Sequence, residues 1–375
     1  NNTVTGADIG ISVAAGAYHS LGPITGVLVE DNEVYGTGVG IQVSFDANNT
    51  SIKDNYVHDN LTGLYEEYYL GYGPTGTIAL HNRLVDNEEQ ALTGTSDTTP
   101  IPQGHVFMAE ANWWGSIAGP SETEINEYVD YAPWCGDEIC SFLVYPMVGT
   151  DLQAAIDGAA DNTVIYVPDI NTDPAIPDYT QAGGFDLDND RLTLILGDGV
   201  VIKNASPCFN VAADHVRILG ESYAGAKCIP TGSWPGFYAT KPINDFVVDG
   251  IEIDGTNETT GTGFWLEGGS DIQILNNYIH DLSATAIDIY QPVTGVFDIQ
   301  GNLFQRTAGI IDLGNFGTNA EFNSWGEYTV TKEMANYYCY PGSTSYYCQD
   351  GYENIIDFDP WTHAAIELRS TNPTV

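Results

Sequence analysis

Basic residues are scarce in this sequence: 10 Lys and Arg stand against 51 Asp and Glu among 375 residues, a formal net charge of −41. A field of that sign repels nucleic acid and anionic lipid, so the composition excludes both as partners. No run of eighteen apolar residues occurs, and the sequence therefore predicts no membrane span. Apolar residues still make up 43% of the chain, which is enough for a packed core.

The cysteines lack the C-x-x-C spacing of zinc and redox sites. They fall instead into three close pairs: Cys135 with Cys140, Cys208 with Cys228, and Cys339 with Cys348. An even count in local pairs predicts disulfides and an oxidising, extracellular compartment. Six free buried thiols are the alternative.

A repeat of one short pattern runs through both halves of the chain. Alternating apolar residues lead to an Asn, which stands at 32, 55, 82, 277 and 302, with spacings of 23, 27 and 25 residues within the halves. This period is typical of one turn of a parallel β-helix, in which three short strands form each coil. Asn side chains at the same turn of successive coils can then stack about 4.8 Å apart. The residues two places after each Asn are predicted to fill the core: Val34, Val57, Leu84, Ile279 and Phe304.

The two halves also end alike. Residues 111–115 read ANWWG and residues 322–326 read FNSWG, and each is followed by a Pro-Trp pair, at 133–134 and 360–361. These are two copies of one C-terminal pattern, which indicates two modules in tandem.

Residues 151–160 read as a short amphipathic helix with Asp151 at its cap position. With the coils around it, the sequence resembles the large family of right-handed parallel β-helix repeat proteins, the superfamily that includes pectin-degrading enzymes. The resemblance implies that this helix caps the N-terminal end of a solenoid. We therefore predict an all-β fold, a right-handed parallel β-helix with modules at 1–142 and 143–362 and an extended tail at 363–375.

The first module opens in mid-repeat, without a helical cap. Either the chain is a piece of a longer one, or another molecule completes the open end. In the tail, Ile366 and Leu368 alternate with charged residues as in a half-buried strand. We expect this tail, or the coils beside it, to cover the open end of the next copy by strand addition, which would build a head-to-tail homopolymer.

Aspartates recur at fixed places in the coils. Asp31 and Asp54 precede the repeated Asn, while Asp59 and Asp86 follow it by four places, as does Asp281, which should pair with Arg306 in the next coil. Like charges on neighbouring coils cost stability unless a cation relieves them, so we expect calcium there. Turn capping with the carboxylates in water is the alternative. Asp186, Asp188 and Asp190 form a second candidate calcium loop, although an ordinary turn fits them better, because the Gly and Glu of an EF-hand are absent.

No complete catalytic motif is present, and we name no catalytic residue. Of the motifs carried by polygalacturonase-like members of the family, only Asn171-Thr172-Asp173 occurs, in an early Pro-rich loop. The doublets Glu66-Glu67 and Glu88-Glu89 are not expected to be catalytic pairs, because neighbours on a strand point to opposite faces. We interpret them as solvated loop acids.

Tyrosines gather in two predicted loops, one at residues 65–72 and one at 337–352, where exposed rings could contact glycans or proteins. The alternative is that these loops pack on their own solenoid. Sequons predict glycosylation on a cell exterior at Asn48, Asn49, Asn60, Asn204 and Asn257.

Modular repetition, an open end and incomplete catalytic motifs favour an extracellular structural or adhesive protein that assembles with itself. A carbohydrate-active enzyme for a neutral or cationic glycan, and a glycan-binding module, are the alternatives.

Overall fold

Short strands of two to eight residues provide nearly all the regular structure of the protein, and about 2% of the chain is helical. The computed structural model describes residues 2–15, 22–97, 100–121, 123–171, 176–204, 206–255, 261–291 and 293–312, with two short pieces at 318–319 and 356–357.

The chain divides into two compact units, Asn1–Pro146 and Met147–Val375. The second copy of the Trp-Gly and Pro-Trp ending lies outside the described residues, as does the tail. The prediction of two modules with matching ends therefore stays a prediction.

The described residues of unit 1 form these strands: β1 (Thr3–Thr5), β2 (Ile9–Ala14), β3 (Ile24–Thr25), β4 (Leu28–Glu30), β5 (Glu33–Tyr35), β6 (Val39–Ser44), β7 (Ala47–Asn48), β8 (Ser51–Lys53), β9 (Tyr56–His58), β10 (Thr62–Tyr68), β11 (Ile78–Leu80), β12 (Arg83–Val85), β13 (Glu89–Thr95), β14 (Phe107–Met108), β15 (Val129–Asp130), β16 (Trp134–Cys135) and β17 (Leu143–Pro146).

Unit 2 begins with a helix and continues as strands: α1 (Leu152–Gly158), β18 (Val164–Val167), β19 (Phe185–Leu187), β20 (Thr193–Leu196), β21 (Val201–Asn204), β22 (Phe209–Val211), β23 (Arg217–Gly220), β24 (Ala226–Pro230), β25 (Phe237–Ala239), β26 (Ile243–Asp249), β27 (Ile251–Asp254), β28 (Phe264–Leu266), β29 (Gly269–Leu275), β30 (Tyr278–His280), β31 (Thr285–Ile289), β32 (Val293–Gln300), β33 (Leu303–Gln305), β34 (Ala308–Asp312), β35 (Thr318–Asn319) and β36 (Ile356–Asp357).

Consecutive strands enter different sheets, and the chain returns to each sheet one coil later. In unit 2 the coil β26, β27, β28 is followed by β29, β30, β31, and each strand pairs in parallel with its counterpart. Unit 1 repeats this with the coils β8, β9, β10 and β11, β12, β13. The result is a parallel β-solenoid, with about 11 turns in all, which confirms the predicted fold class.

The repeated Asn residues form the predicted ladder. In unit 1 the Oδ1 of Asn55 accepts hydrogen bonds from the backbone N and the Nδ2 of Asn32, both at 3.0 Å. The Oδ1 of Asn82 accepts the same two hydrogen bonds from Asn55. Asn277 and Asn302 repeat the arrangement in unit 2. The ladder satisfies buried turn amides that no strand pairs, which explains why Asn is required there.

The side chains two places after each ladder Asn lie in the core, as predicted. Val34, Val57, Leu84 and Ile279 are fully buried, and Phe304 is 3% exposed.

The predicted helical cap is also present. Asp151 is the N-cap of α1, and its Oδ1 accepts a hydrogen bond from the backbone N of Ala154 at 3.0 Å. Leu152 and Ile156 are the buried residues of this helix, and Gln153 exchanges hydrogen bonds with the backbone of Asp186 on β19. Those contacts cover the edge of β19, the outermost strand of its sheet.

Two of the three predicted disulfides are formed, Cys135–Cys140 and Cys208–Cys228. The third pair, Cys339 and Cys348, lies outside the described residues. Within the part of the chain that the structure describes, no helix is long and apolar enough to cross a membrane.

Candidate functional site

An aromatic row lies on the outer face of one sheet in unit 2. Phe237 and Phe264 point into the core and are fully buried, so the alternation of a strand sends the next residues, Tyr238 and Trp265, outward. The parallel register of β25 and β28 places Tyr238 opposite Trp265. Trp234 precedes β25 and Tyr290 follows β31. We call these four rings the aromatic row.

The rings of the aromatic row contact one another in sequence. The centroids of Trp234 and Tyr238 are 5.6 Å apart, those of Tyr238 and Trp265 are 6.1 Å apart, and those of Trp265 and Tyr290 are 4.3 Å apart. The first two pairs meet edge to face and the third is stacked. Trp234, at the end of the row, is 43% exposed.

A buried acid completes this surface. Asp288 on β31 stands opposite Trp265 in the strand register and is 8% exposed. Burial raises the pKa of Asp288 from 3.8 to about 6, and a hydrogen bond from the Thr285 hydroxyl offsets only part of that shift. A carboxyl group beside a Trp ring with a pKa near neutrality can hold or release a proton under mildly acidic conditions.

A second group of side chains occupies the outer face of the neighbouring sheet. Glu252 and Asp254 project from β27, and Tyr278 and His280 lie opposite them on β30. The Nε2 of His280 is 2.9 Å from Glu252 Oε1, and its Nδ1 is 2.7 Å from Asp281 Oδ2. The imidazole is thus held between two carboxylates.

Cations fill the remaining places around these acids. The Nζ of Lys227 on β24 is 2.8 Å from Glu252 Oε1 and 3.3 Å from Asp254 Oδ2. Arg306 forms the predicted ion pair with Asp281. We call Lys227, Glu252, Asp254, His280 and Asp281 the outer polar cluster.

The pKa values within the outer polar cluster follow these contacts. Burial alone would lower the pKa of His280, but its hydrogen bonds to Glu252 and Asp281 outweigh burial and leave that pKa raised. The pKa of Lys227 is raised in the same way, since contacts with Glu252 and Asp254 overcome burial. The Arg306 guanidinium holds the pKa of Asp281 well below its usual range.

Unit 1 carries a related arrangement. Residues 55–59 read NYVHD and residues 277–281 read NYIHD. Glu33 stands opposite Tyr56 as Glu252 stands opposite Tyr278, and the Nδ1 of His58 is 2.7 Å from Asp59 Oδ2. The Nε2 of His58 is 3.7 Å from Glu33 Oε1; it is buried and has no hydrogen-bond partner among the described residues.

The interpretation of Glu66 as a solvated loop acid is wrong. The side chain of Glu66 projects inward from β10 and is fully buried. Its Oε2 is 2.6 Å from His105 Nε2, and His105 Nδ1 is 2.9 Å from the hydroxyl of Tyr68. Tyr68 belongs to the same strand and is 3% exposed, so it is a core residue rather than part of a contact loop. The alternation of β10 sends 64, 66 and 68 inward together.

The predicted calcium residues of unit 1 lie in sharp turns. Asp31, Asp54, Asp59 and Asp86 all adopt left-handed backbone conformations, with φ between 53° and 56°. Asp tolerates this conformation better than most residues, which gives a structural reason for its recurrence. Asp86 also lines an open pocket of about 430 Å³ together with Glu88 and Glu124.

Two of the three aspartates in the predicted calcium loop of unit 2 accept hydrogen bonds from other residues of the chain. The Oδ1 of Asp186 accepts from Asn210 Nδ2 at 2.8 Å, and the Oδ1 of Asp190 accepts from the backbone N of Asp214 at 3.0 Å. Asp188 lies on the exposed surface just after β19. In the described ranges, three potential ligand residues meet within 4.8 Å only at Glu252, Asp254 and His280, so calcium binding by the seven predicted aspartates stays a prediction.

The predicted glycosylation sites differ in access. Asn60 and Asn204 are 3% and 2% exposed and use their amides in buried hydrogen bonds, so a glycan cannot reach them in the folded chain. Asn48 and Asn49 lie at the surface. Asn257 lies outside the described residues, as does the tyrosine cluster at 337–352.

Sequence reasoning missed the aromatic row and the outer polar cluster. A signal for the first was present: Phe209, Phe237 and Phe264 are one coil apart, and each precedes an outward residue. Recognising the outer polar cluster required the register between β27 and β30.

No model of a known protein family matches this chain, and none of the curated proteins matches it. The geometry therefore carries the functional argument.

Proposed function

We propose that the protein is an extracellular adhesive β-solenoid that binds a neutral or cationic glycan on the aromatic row of unit 2. The observation that carries this proposal is the run of four contacting rings on the outer face, ending at the exposed Trp234. Tyr and Trp rings combine apolar area with a polar edge, which suits the mixed surface of a sugar.

Charge decides the class of glycan. The chain has a net charge of −41, and alternation along the extended chain puts Glu267 on the same side of its sheet as Trp265. An acidic polysaccharide would be repelled from such a surface. An amino sugar would gain from the carboxylates and from cation–π contact with the rings.

An extracellular location is compatible with the two disulfides, which persist in oxidising compartments. Disulfides also stabilise the folded state, which an adhesive protein needs outside the cell.

Retention on insoluble polysaccharides tests the proposal. The chain is applied to chitosan, chitin, cellulose and calcium alginate in buffers of rising salt. Chitosan and the neutral polymers should retain it, and alginate should not. Because a chain of net −41 attracts any polycation, retention on chitosan counts only if it depends on the rings.

Trp234→Ala and Trp265→Ala should each weaken binding by roughly tenfold, about 1.4 kcal/mol. Tyr145→Ala is the matched control, since Tyr145 is a 46% exposed ring that does not belong to the aromatic row. Equal binding by all three variants, or retention on none of the polymers, would reject the proposal.

Asp288 favours a second candidate, a glycoside hydrolase in which this carboxyl group protonates the leaving oxygen. Its raised pKa and its position opposite Trp265 fit a general acid. Release of reducing sugar that disappears in Asp288→Asn, while polymer binding persists, would establish the enzyme. Binding with no sugar release would leave the adhesive function alone.

Head-to-tail assembly remains part of the adhesive proposal. It is supported by the pattern of the tail, in which Ile366 and Leu368 alternate with charged residues as in a strand that can pair with a strand edge of another copy. Deletion of residues 363–375 followed by light scattering tests the tail as the connector: particles that persist without it would reject that role.

A further inference from the structure

We propose that Glu252, Asp254 and His280 form a binding site for a divalent transition-metal ion, for which Zn²⁺ is the suitable probe. Their potential ligand atoms lie within 4.8 Å of one another. Two parallel strands carry them: Asp254 pairs directly with His280 in the register of β27 and β30. The backbone hydrogen bonds between β27 and β30 therefore fix the positions from which the three side chains project, before any ion binds.

The histidine is oriented as metal-binding histidines usually are. Asp281 lies 2.7 Å from Nδ1 of His280, and Arg306 in turn clamps Asp281. A carboxylate on one ring nitrogen fixes the orientation of the imidazole and directs the other nitrogen at the ion. That other nitrogen, Nε2, shares a proton with Glu252 Oε1 at 2.9 Å, and an ion bound there takes the place of this proton, which is released to solvent.

Lys227 marks the place of the cation. Its Nζ lies between Glu252 Oε1 and Asp254 Oδ2, at 2.8 and 3.3 Å. The side chain is 31% exposed, so the ammonium can swing into water when an ion takes its position. Lys227 is then a built-in competitor that sets how tightly the ion binds.

The related arrangement in unit 1 is an independent observation. There the Nδ1 of His58 is again held by the next aspartate, Asp59, and the Nε2 again faces a glutamate, Glu33. That Nε2 is buried and has no hydrogen-bond partner in the described part of the chain. Thr3 and Tyr35 stand where unit 2 has Lys227 and Asp254, so unit 1 offers two ligands where unit 2 offers three.

The donor set decides which ions are suitable. One imidazole nitrogen and two carboxylate oxygens suit Zn²⁺ and its transition-metal neighbours, whereas Ca²⁺ takes six to eight oxygens. The ion would join neighbouring coils across the outer face and strengthen the solenoid there.

Calorimetric titration of the full, oxidised chain with ZnCl₂ in excess CaCl₂ tests the site. His280→Gln should abolish the tightest binding event. Asp281→Asn should weaken it by roughly 10–100-fold, the usual effect of losing such a partner. Lys227→Met should tighten it at least tenfold by removing the competing ammonium.

His215→Gln is the matched control, because His215 also contacts a carboxylate, Asp245, but stands outside the three-residue group. It should leave the tight event unchanged. Circular dichroism of each variant checks that the solenoid persists. Failure of both the parent chain and Lys227→Met to bind Zn²⁺ would overturn the proposal, as would a tight event that survives His280→Gln.

Discussion

Asp288 should make unit 2 less stable as the pH rises, and the structure supplies the magnitude. Its pKa is about 6 in the folded chain against 3.8 ordinarily, because the carboxyl group is buried. The folded state therefore keeps a proton that the unfolded state loses between about pH 4 and pH 6. At 1.36 kcal/mol for each pKa unit, the full effect is about 3 kcal/mol.

The sign follows from proton linkage. Below pH 4 both states are protonated and Asp288 costs nothing. As the pH rises through 6, the folded state must also ionise a buried carboxyl group, and the stability that protonation contributed is lost. Above that window the cost stays constant.

Asp288→Asn removes the titration and keeps an oxygen that can accept from Thr285. Its free energy of unfolding should exceed that of the parent chain, and the difference should grow by about 1.4 kcal/mol between pH 5 and pH 7.5. This range stays clear of the isoelectric point near 4.1, where precipitation threatens. Urea unfolding followed by tryptophan fluorescence measures the difference at each pH.

Asp161→Asn controls for the general relief of repulsion in an acidic chain, since Asp161 lies in an exposed turn after α1. A difference for Asp288→Asn that is independent of pH, or equal to that of Asp161→Asn, would refute the reasoning.

Further measurements address the ladder, the disulfide, the buried acid and calcium. Asn82→Ala leaves the buried backbone N of Asn55 without its acceptor and removes the hydrogen bonds that Asn82 Nδ2 donates to both neighbouring coils, so it should lower the free energy of unfolding by about 2–4 kcal/mol. Replacing Cys208 and Cys228 by Ser should cost about 3 kcal/mol in thermal or urea unfolding, given a separation of 20 residues. Glu66→Leu should lower the free energy of unfolding by about 3–5 kcal/mol, because it leaves the buried His105 without its partner. Adding His105→Leu should recover much of that loss. If the aspartate columns bind calcium, EDTA should lower the melting temperature and added calcium should restore it.

Each of these has a result that contradicts it. Gln103→Ala, in an exposed turn of the same unit, should change stability little, and an equal loss there would show that Asn82 has no special role in the ladder. Peptide mapping without reductant should yield the links 135–140 and 208–228, with 339–348 expected from the sequence; crossed links would be inconsistent with the fold. A double Leu variant no more stable than Glu66→Leu would show that packing, rather than charge, sets the cost. A melting point indifferent to EDTA and calcium would leave the aspartates as turn residues alone.

The repeat alone was sufficient to predict the fold class and much of the core. A spacing of about one coil, a ladder Asn and an apolar residue two places later identify the turn and the inward strand. The cap at Asp151, the pairs Cys135–Cys140 and Cys208–Cys228, and the Asp281–Arg306 contact also followed from local sequence, because each depends on short range or on one coil step.

The functional surfaces required the tertiary structure, because coil lengths vary and contacts run between coils. The motif around His280 is visible in the sequence, but its approach to Glu252 depends on a register 28 residues apart. Glu66 shows the same limit. In the sequence it is one of two adjacent acids, and nothing nearby indicates that it is buried. Its burial is possible because His105, 39 residues away, forms a hydrogen bond with its carboxyl group. Local sequence thus determined which residues form strands and turns. Burial, charge pairing and the meeting of side chains across coils were decided by the solenoid, because those free energies depend on neighbours that the chain brings together only when it folds.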